Sequence, residues 1–338
     1  MEQQQTQMDK RFNIVTGWII LLTLLFTGCI RDGVRNCEED TRIRFQFVYD
    51  YNADERDKFA EQVDHISLFI YDTETGLLED SFEFYREDME ENHTVSVMLP
   101  AGRHTAVAWG NCHTQHYRIH APETTASMQL EMTCITGQVM TQTNPGSLFH
   151  TSNTFEVIEG SEYTVPISLI KNSNRVKVII KGLSEEDKKT AESLLVFRMT
   201  SNNWKYNFDN SIRSEEAIVY IPEYHREENE GEEDDISVTF YPLRLFSYDE
   251  ETALSLRYRN AMTGRETVLE RALIPYLLKA VEEPVAASRN HVLTKNDDDN
   301  EYLDRHDDYE VTFIMEVDAD GNITLDEWDR INQGEELG

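Results

Sequence analysis

The stretch Arg42-Ile43-Arg44-Phe45-Gln46-Phe47-Val48-Tyr49 decides the fold class. Ile43, Phe45 and Phe47 fall on one side of an extended chain, and Arg42, Arg44 and Gln46 fall on the other. Successive side chains of a strand point to opposite faces, so a period of two marks a half-buried β-strand. The same period returns over residues 65–71, where Ile66, Leu68 and Ile70 share a face. It recurs from Leu78 through Phe82 to Tyr85, and again over 94–99, 105–109 and 163–169. Turn chemistry separates these runs: Asp72-Thr73-Glu74-Thr75-Gly76, Pro100-Ala101-Gly102 and the segment 156–160 ending in Gly160. Residues 54–63 form a short helical or irregular connection, with Phe59 and Val63 one helical turn apart.

A second block opens at Asn172-Ser173-Asn174. Its first strand is Arg175-Val176-Lys177-Val178-Ile179-Ile180-Lys181, with Val176, Val178 and Ile180 on one face. Alternation predicts further strands over 194–199, 217–221, 236–245, 254–258 and 311–317. Residues 267–282 fit either a helix interrupted at Pro275 or a strand that runs on into a short helix. The acidic segments 227–235 and 296–301 read as solvated loops. Short strands punctuated by turns imply antiparallel sandwiches and not a parallel α/β sheet. The expectation is therefore an all-β chain with two tandem antiparallel β-sandwich domains, at residues 41–170 and 171–338.

The first 28 residues differ from the rest. Lys10 and Arg11 precede an apolar run of 13 residues, Ile14 to Phe26, which ends in Thr27-Gly28-Cys29. A helix needs about 20 apolar residues to span a bilayer, so this run has the length of a signal-peptide core. Cleavage between Gly28 and Cys29, with a diacylglycerol on the Cys29 thiol and an acyl group on its new amine, would make the chain a lipoprotein. Thr27 and Gly28 suit the peptidase that makes this cut; Phe26 stands where Leu is usual. Residues 29–40 then form a lipidated leash. Of the remaining cysteines, Cys37, Cys112 and Cys134, at most two can pair within the chain. The expected pair is Cys37 with Cys112, because each lies beside the end of a strand and strand ends can meet at one pole of a sandwich. Cys134 sits in an alternating run and reads as buried.

The net charge of −33 survives loss of the leader, which carries two acids (Glu2, Asp9) and two bases (Lys10, Arg11). Such a surface repels nucleic-acid phosphates and anionic headgroups, so membrane attachment falls to acyl chains. No GxSxG elbow, P-loop, GxGxxG turn or HExxH helix is present. His104, His113, His116 and His120 lie near one another in sequence without a metal-ligand spacing. A secreted glycosidase would need two carboxylates at a defined separation, and nothing marks such a pair among so many acids. The stretch from Glu316 to Glu327 matches much of a calcium-binding EF-hand loop, but the residues before it alternate like a strand where that loop needs a helix. Asp318-Ala319-Asp320-Gly321 reads better as a hairpin turn. The expectation is a non-enzymatic protein without metal, cofactor or small-molecule substrate, whose only prosthetic group is the Cys29 lipid.

Several clusters then coincide in order with one family. They are the Cys29 box with Cys37; Phe45-x-Phe47-x-Tyr49 with Asn52 and Phe59; Leu68-Phe69-Ile70-Tyr71-Asp72 with Gly76; and Leu99-Pro100-Ala101-Gly102 with Ala108-Trp109-Gly110. Further on come Asn174-Arg175-Val176, Glu301-Tyr302-Leu303-Asp304-Arg305, and Asp318-x-Asp320-Gly321 with Trp328. The chain resembles the fimbrillin-associated anchor subunits of Bacteroidia over about residues 25–331. The resemblance implies transthyretin-like sandwiches, an outer-membrane location at the fimbrial base, and a fimbrial shaft subunit as partner, engaged by strand complementation. It also implies an influence on fimbrial length. The alternative is a surface adhesin, a fimbrial tip or a glycan-binding protein of similar fold.

Overall fold

A computed structural model describes residues 40–133, 140–141, 144–182, 195–213, 216–226, 236–249, 251–259, 264–282, 299–317, 323–327 and 332–333. Gly28, Cys29, Cys37, Cys134, the acidic segment 227–235 and the turn at 318–321 lie outside them.

The first half comprises β1 (Thr41–Val48), α1 (Phe59–Gln62), β2 (His65–Asp72), β3 (Leu78–Tyr85), β4 (Thr94–Leu99), β5 (Gly102–Gly110), β6 (Tyr117–His120), β7 (Gln129–Met132), β8 (Met140–Thr141), β9 (Phe149–Val157), β10 (Tyr163–Ser168) and β11 (Ile170–Lys171). β1 is central in a three-stranded sheet of order β10-β1-β4, antiparallel to β4 but parallel to β10. An antiparallel sheet of order β11-β9-β5-β2-β3 packs against it. Ile43, Phe45 and Phe47 are fully buried between the two, as their alternation requires. Each such side chain contributes roughly 1.5–3 kcal/mol of burial. The turn after β2 forms as its residues dictate: the Asp72 carboxylate accepts from the Thr75 amide and hydroxyl, and Gly76 takes φ +68°.

The second half comprises β12 (Arg175–Lys181), β13 (Leu195–Ser201), β14 (Lys205–Asn207), β15 (Ile218–Tyr220), β16 (Glu223–Arg226), β17 (Ile236–Phe240), β18 (Ala253–Arg259), β19 (Glu266–Ala272), α2 (Ile274–Glu282), α3 (Asp299–Arg305), β20 (Asp308–Val317), β21 (Ile323–Glu327) and β22 (Asn332–Gln333). β12 repeats the placement of β1. It is central in a sheet of order β16-β17-β12-β20-β21, antiparallel to β17 and parallel to β20. The facing sheet has order β19-β18-β13-β15-β8. A third, small sheet of order β14-β7-β6 draws strands from both halves.

Two elements depart from the sequence expectation, and a third resolves an alternative. The run 236–245 is a strand only as far as Phe240, because Pro242 lacks the donor a central strand needs. The acidic segment 296–301 does not stay a loop: α3 begins at Asp299, since Tyr302 and Leu303 behind it are buried. The run 267–282 takes the second of its two expected forms, strand then helix: β19 followed by α2, with Pro275 in its first turn. β20 and β21 pair antiparallel up to Val317↔Ile323, so strands and not helices flank residues 318–322.

Candidate assembly surface

The first sandwich has two distinct poles. β1 enters at one of them, beside Asp40, where the 72–76 and 99–102 turns also lie. A depression at this pole is lined by Asp40, Asp72, Glu79 and Asp80, with Leu77 and Met98 half-exposed among them. Its wall is fixed by buried His104, whose Nδ1 lies 2.6 Å from Glu79 and whose Nε2 lies 3.0 Å from the Pro100 carbonyl.

The opposite pole carries the second half. Lys171 pairs with Asp307, and the Arg305 guanidinium lies 4.4 Å over the Tyr51 ring. Asn172 and Asn210, both buried, exchange side-chain hydrogen bonds, each Nδ2 donating to the other's Oδ1. Arg244 grips Asp304 through two hydrogen bonds, of 2.6 and 2.7 Å. The outer face of the β2–β5 sheet packs here as well: the Trp109 ring lies tilted against His150 at 4.3 Å and Tyr206 at 6.4 Å. His150 Nε2 donates to the Phe208 carbonyl at 2.9 Å, and burial pushes its pKa down to about 3, so the ring is neutral.

Away from this joint, β19 forms an outer edge of its sheet. Within the described residues it pairs with β18 alone, through seven residues. Val268 points outward and is 57% exposed. Leu269 and Arg271 point inward, to a narrow slot between the two sheets that is otherwise lined by Ile180, Phe197, Leu254, Leu256 and Phe313. An open edge can accept an added strand, whose backbone groups pair with it; the slot beside it, of about 10 Å³, has no room for a further side chain as it stands.

The histidines singled out in sequence do not converge. His104 serves the wall described above; His113 lies 3.5 Å from Asp64, His120 lies 3.3 Å from Glu131, and His116 meets Gln115. Among the described residues no three His, Cys, Asp or Glu side chains are placed to hold a metal. Cys112 is a buried thiol with no disulfide partner among the described residues, which do not include Cys37; burial and the Glu83 charge push its pKa up to about 12. It follows β5 at the pole opposite Asp40, a strand's length away. Among the described residues no helix is long and apolar enough to cross a membrane.

The model of the fimbrillin-A associated anchor proteins Mfa1 and Mfa2 matches residues 35–334. The chain belongs to this family. Membership places it among fimbria-associated proteins of the cell surface. Among solved structures, the fimbrial anchor protein Mfa2 from Porphyromonas gingivalis is similar with a TM-score of 0.64 and 18% identity, covering 87% of this chain and 97% of that one. A candidate polysaccharide-binding protein from Bacteroides thetaiotaomicron gives 0.67 at 19% identity, with 88% and 99% covered. A candidate adhesin from Bacteroides ovatus gives 0.68 at 18%, with 88% and 96% covered. At such identities the likeness speaks for the fold alone. No curated protein sequence matches the chain.

Sequence reasoning missed the β19 edge. Residues from five strands line its slot, so no local pattern marks it; the exposed Val268 beside the inward Leu269 was the available signal.

Proposed function

We propose that this family member is the anchor subunit of a fimbria. A lipid on Cys29 holds it at the outer membrane, and the open edge of β19 receives an extended strand of the adjoining shaft subunit. The observation that carries the docking site is that open edge. A strand added there satisfies open N–H and C=O groups of β19 and sets alternate apolar side chains beside Leu269. Residues 30–39 between the lipid and the first described residue reach roughly 33–36 Å when extended. The anchor makes none of the contacts between shaft subunits, so its loss leaves polymerisation intact, frees fibres from the cell and alters their length. The role is structural and needs no cofactor besides the lipid.

Leu269→Asp places a charge at the slot and tests the docking site. Shaft subunit is expected to co-purify with the wild type and to be lost from the variant, with both proteins melting cooperatively. Undiminished co-purification would reject β19 as the docking edge.

A second reading, a surface adhesin or fimbrial tip that binds glycan, is favoured by one observation. Tyr248 is 62% exposed and leans on the buried Phe246 ring 5.1 Å away, so it presents one aromatic ring to solvent. Glycan binding that disappears in Tyr248→Ala would support it.

A further inference from the structure

Tension on a tethered fibre enters this chain at the start of β1. That strand has a neighbour on each side: six of its residues register with β10, from Ile43↔Tyr163 to Val48↔Ser168, and six with β4, from Thr41↔Leu99 to Gln46↔Thr94. Because β10 runs parallel to β1, the chain leaves β10 at the pole opposite Asp40. A pull on Asp40 one way and on Ile170 the other therefore drives two parallel strands past each other along their length. The ladder bonds on both edges of β1 are then strained together, and Ile43, Phe45 and Phe47, all fully buried, must leave the core in the same step. Peeling would break the same bonds one after another and so at lower force.

The second half repeats the arrangement. β12, like β1, is held on both edges, by five residues in register with β17 and seven with parallel β20. Val176 and Val178 on it are fully buried. We propose that the first sandwich is a force-bearing clamp loaded in shear through its central first strand, and that carrying tension is a function of the fold in addition to docking a partner. This rests on the proposed tether at the N-terminal side and partner on the second half.

The test is single-molecule pulling on the full chain in solution, with handles attached by non-cysteine chemistry. Handles at residues 40 and 170 load the first sandwich in shear. Handles at 40 and 101 share one pole and peel β1 from β4, starting at Thr41↔Leu99. At one pulling rate the shear geometry is expected to rupture at about twofold the force of the peeling geometry or more, since forced unfolding follows the barrier along the pulled direction. Phe45→Ala is expected to lower the shear force. Equal forces in the two geometries, or a weaker shear geometry, would overturn the proposal. The isolated chain is measured, so the outcome does not depend on whether a shaft subunit binds; failure of the anchor reading in cells would be a separate result.

Discussion

The first core is closed by residues of the first half alone, from Ile43 to Leu169. The second core is not self-contained in this way: beside its own strands it takes Phe69 and Tyr71 from β2, and Val107 and Trp109 from β5. Sheet β11-β9-β5-β2-β3 thus serves both cores, one on each face. The second half is built on the outer face of a sheet that the first half completes unaided, so damage to that face should fall on the second half, whereas damage to the first core should reach both.

The largest effect follows from Trp109, which is fully buried in the second core. Trp109→Ala is expected to cost about 3–5 kcal/mol, as large-to-small aromatic substitutions in cores do. Hydrogen exchange should then rise in β13 and β18 while β1 stays protected. Phe45→Ala, of similar size in the first core, should raise exchange in both halves. The reverse pattern would break the asymmetry.

The joint also predicts a pH dependence. Burial holds His150 neutral with a pKa of about 3, against an opposing contribution from its hydrogen bond to Phe208. An unfolded histidine takes up its proton near pH 6.5, so between 6.5 and 3 the unfolded chain binds more protons than the folded one. His150 thus favours folding above pH 6.5, and that contribution is lost as pH falls toward 3. Between pH 7 and pH 5 the loss is about 2 kcal/mol. Denaturant titrations at the two pH values should show it, and His150→Gln should flatten the slope. An unchanged slope in the variant would place the sensitive group elsewhere.

The smallest effect belongs to the β19 edge. Val268→Ser should change stability by no more than about 0.5 kcal/mol, because the side chain stands mostly in solvent. A larger loss of melting temperature would mean that the edge is already covered.

The same contrast explains what was legible in the sequence. β1 and β12 were plain because one face of each is lined by charged or polar side chains, Arg44 and Gln46 in the first and Lys177 in the second. β2 is buried on both faces, and its near-continuous apolar run Ile66-Ser-Leu-Phe-Ile-Tyr71 was the signal of a two-sided strand. Alternation named Ile66, Leu68 and Ile70 but could not say that Phe69 and Tyr71 face a second core. The parallel pairs β1–β10 and β12–β20 join residues more than a hundred positions apart and leave no local trace. β6, β7 and β14 are three or four residues long, and β7 finds β14 only across the joint. The start of α3 was hidden because tertiary contacts, the buried Tyr302 and the Arg244–Asp304 pair, decide it against an acidic composition. The leader, by contrast, is a wholly local pattern.

The central claim, an anchor tethered through Cys29, is tested most directly by replacing Cys29 with Ala in the chromosome and measuring fimbriae on cells and in the medium. Labelled fatty acid should enter the wild type and not the variant. Fimbriae should still assemble but move from the cells to the medium, with altered length. Cell-bound fimbriae of unchanged number and length, in a strain whose variant protein takes up no lipid, would contradict the account.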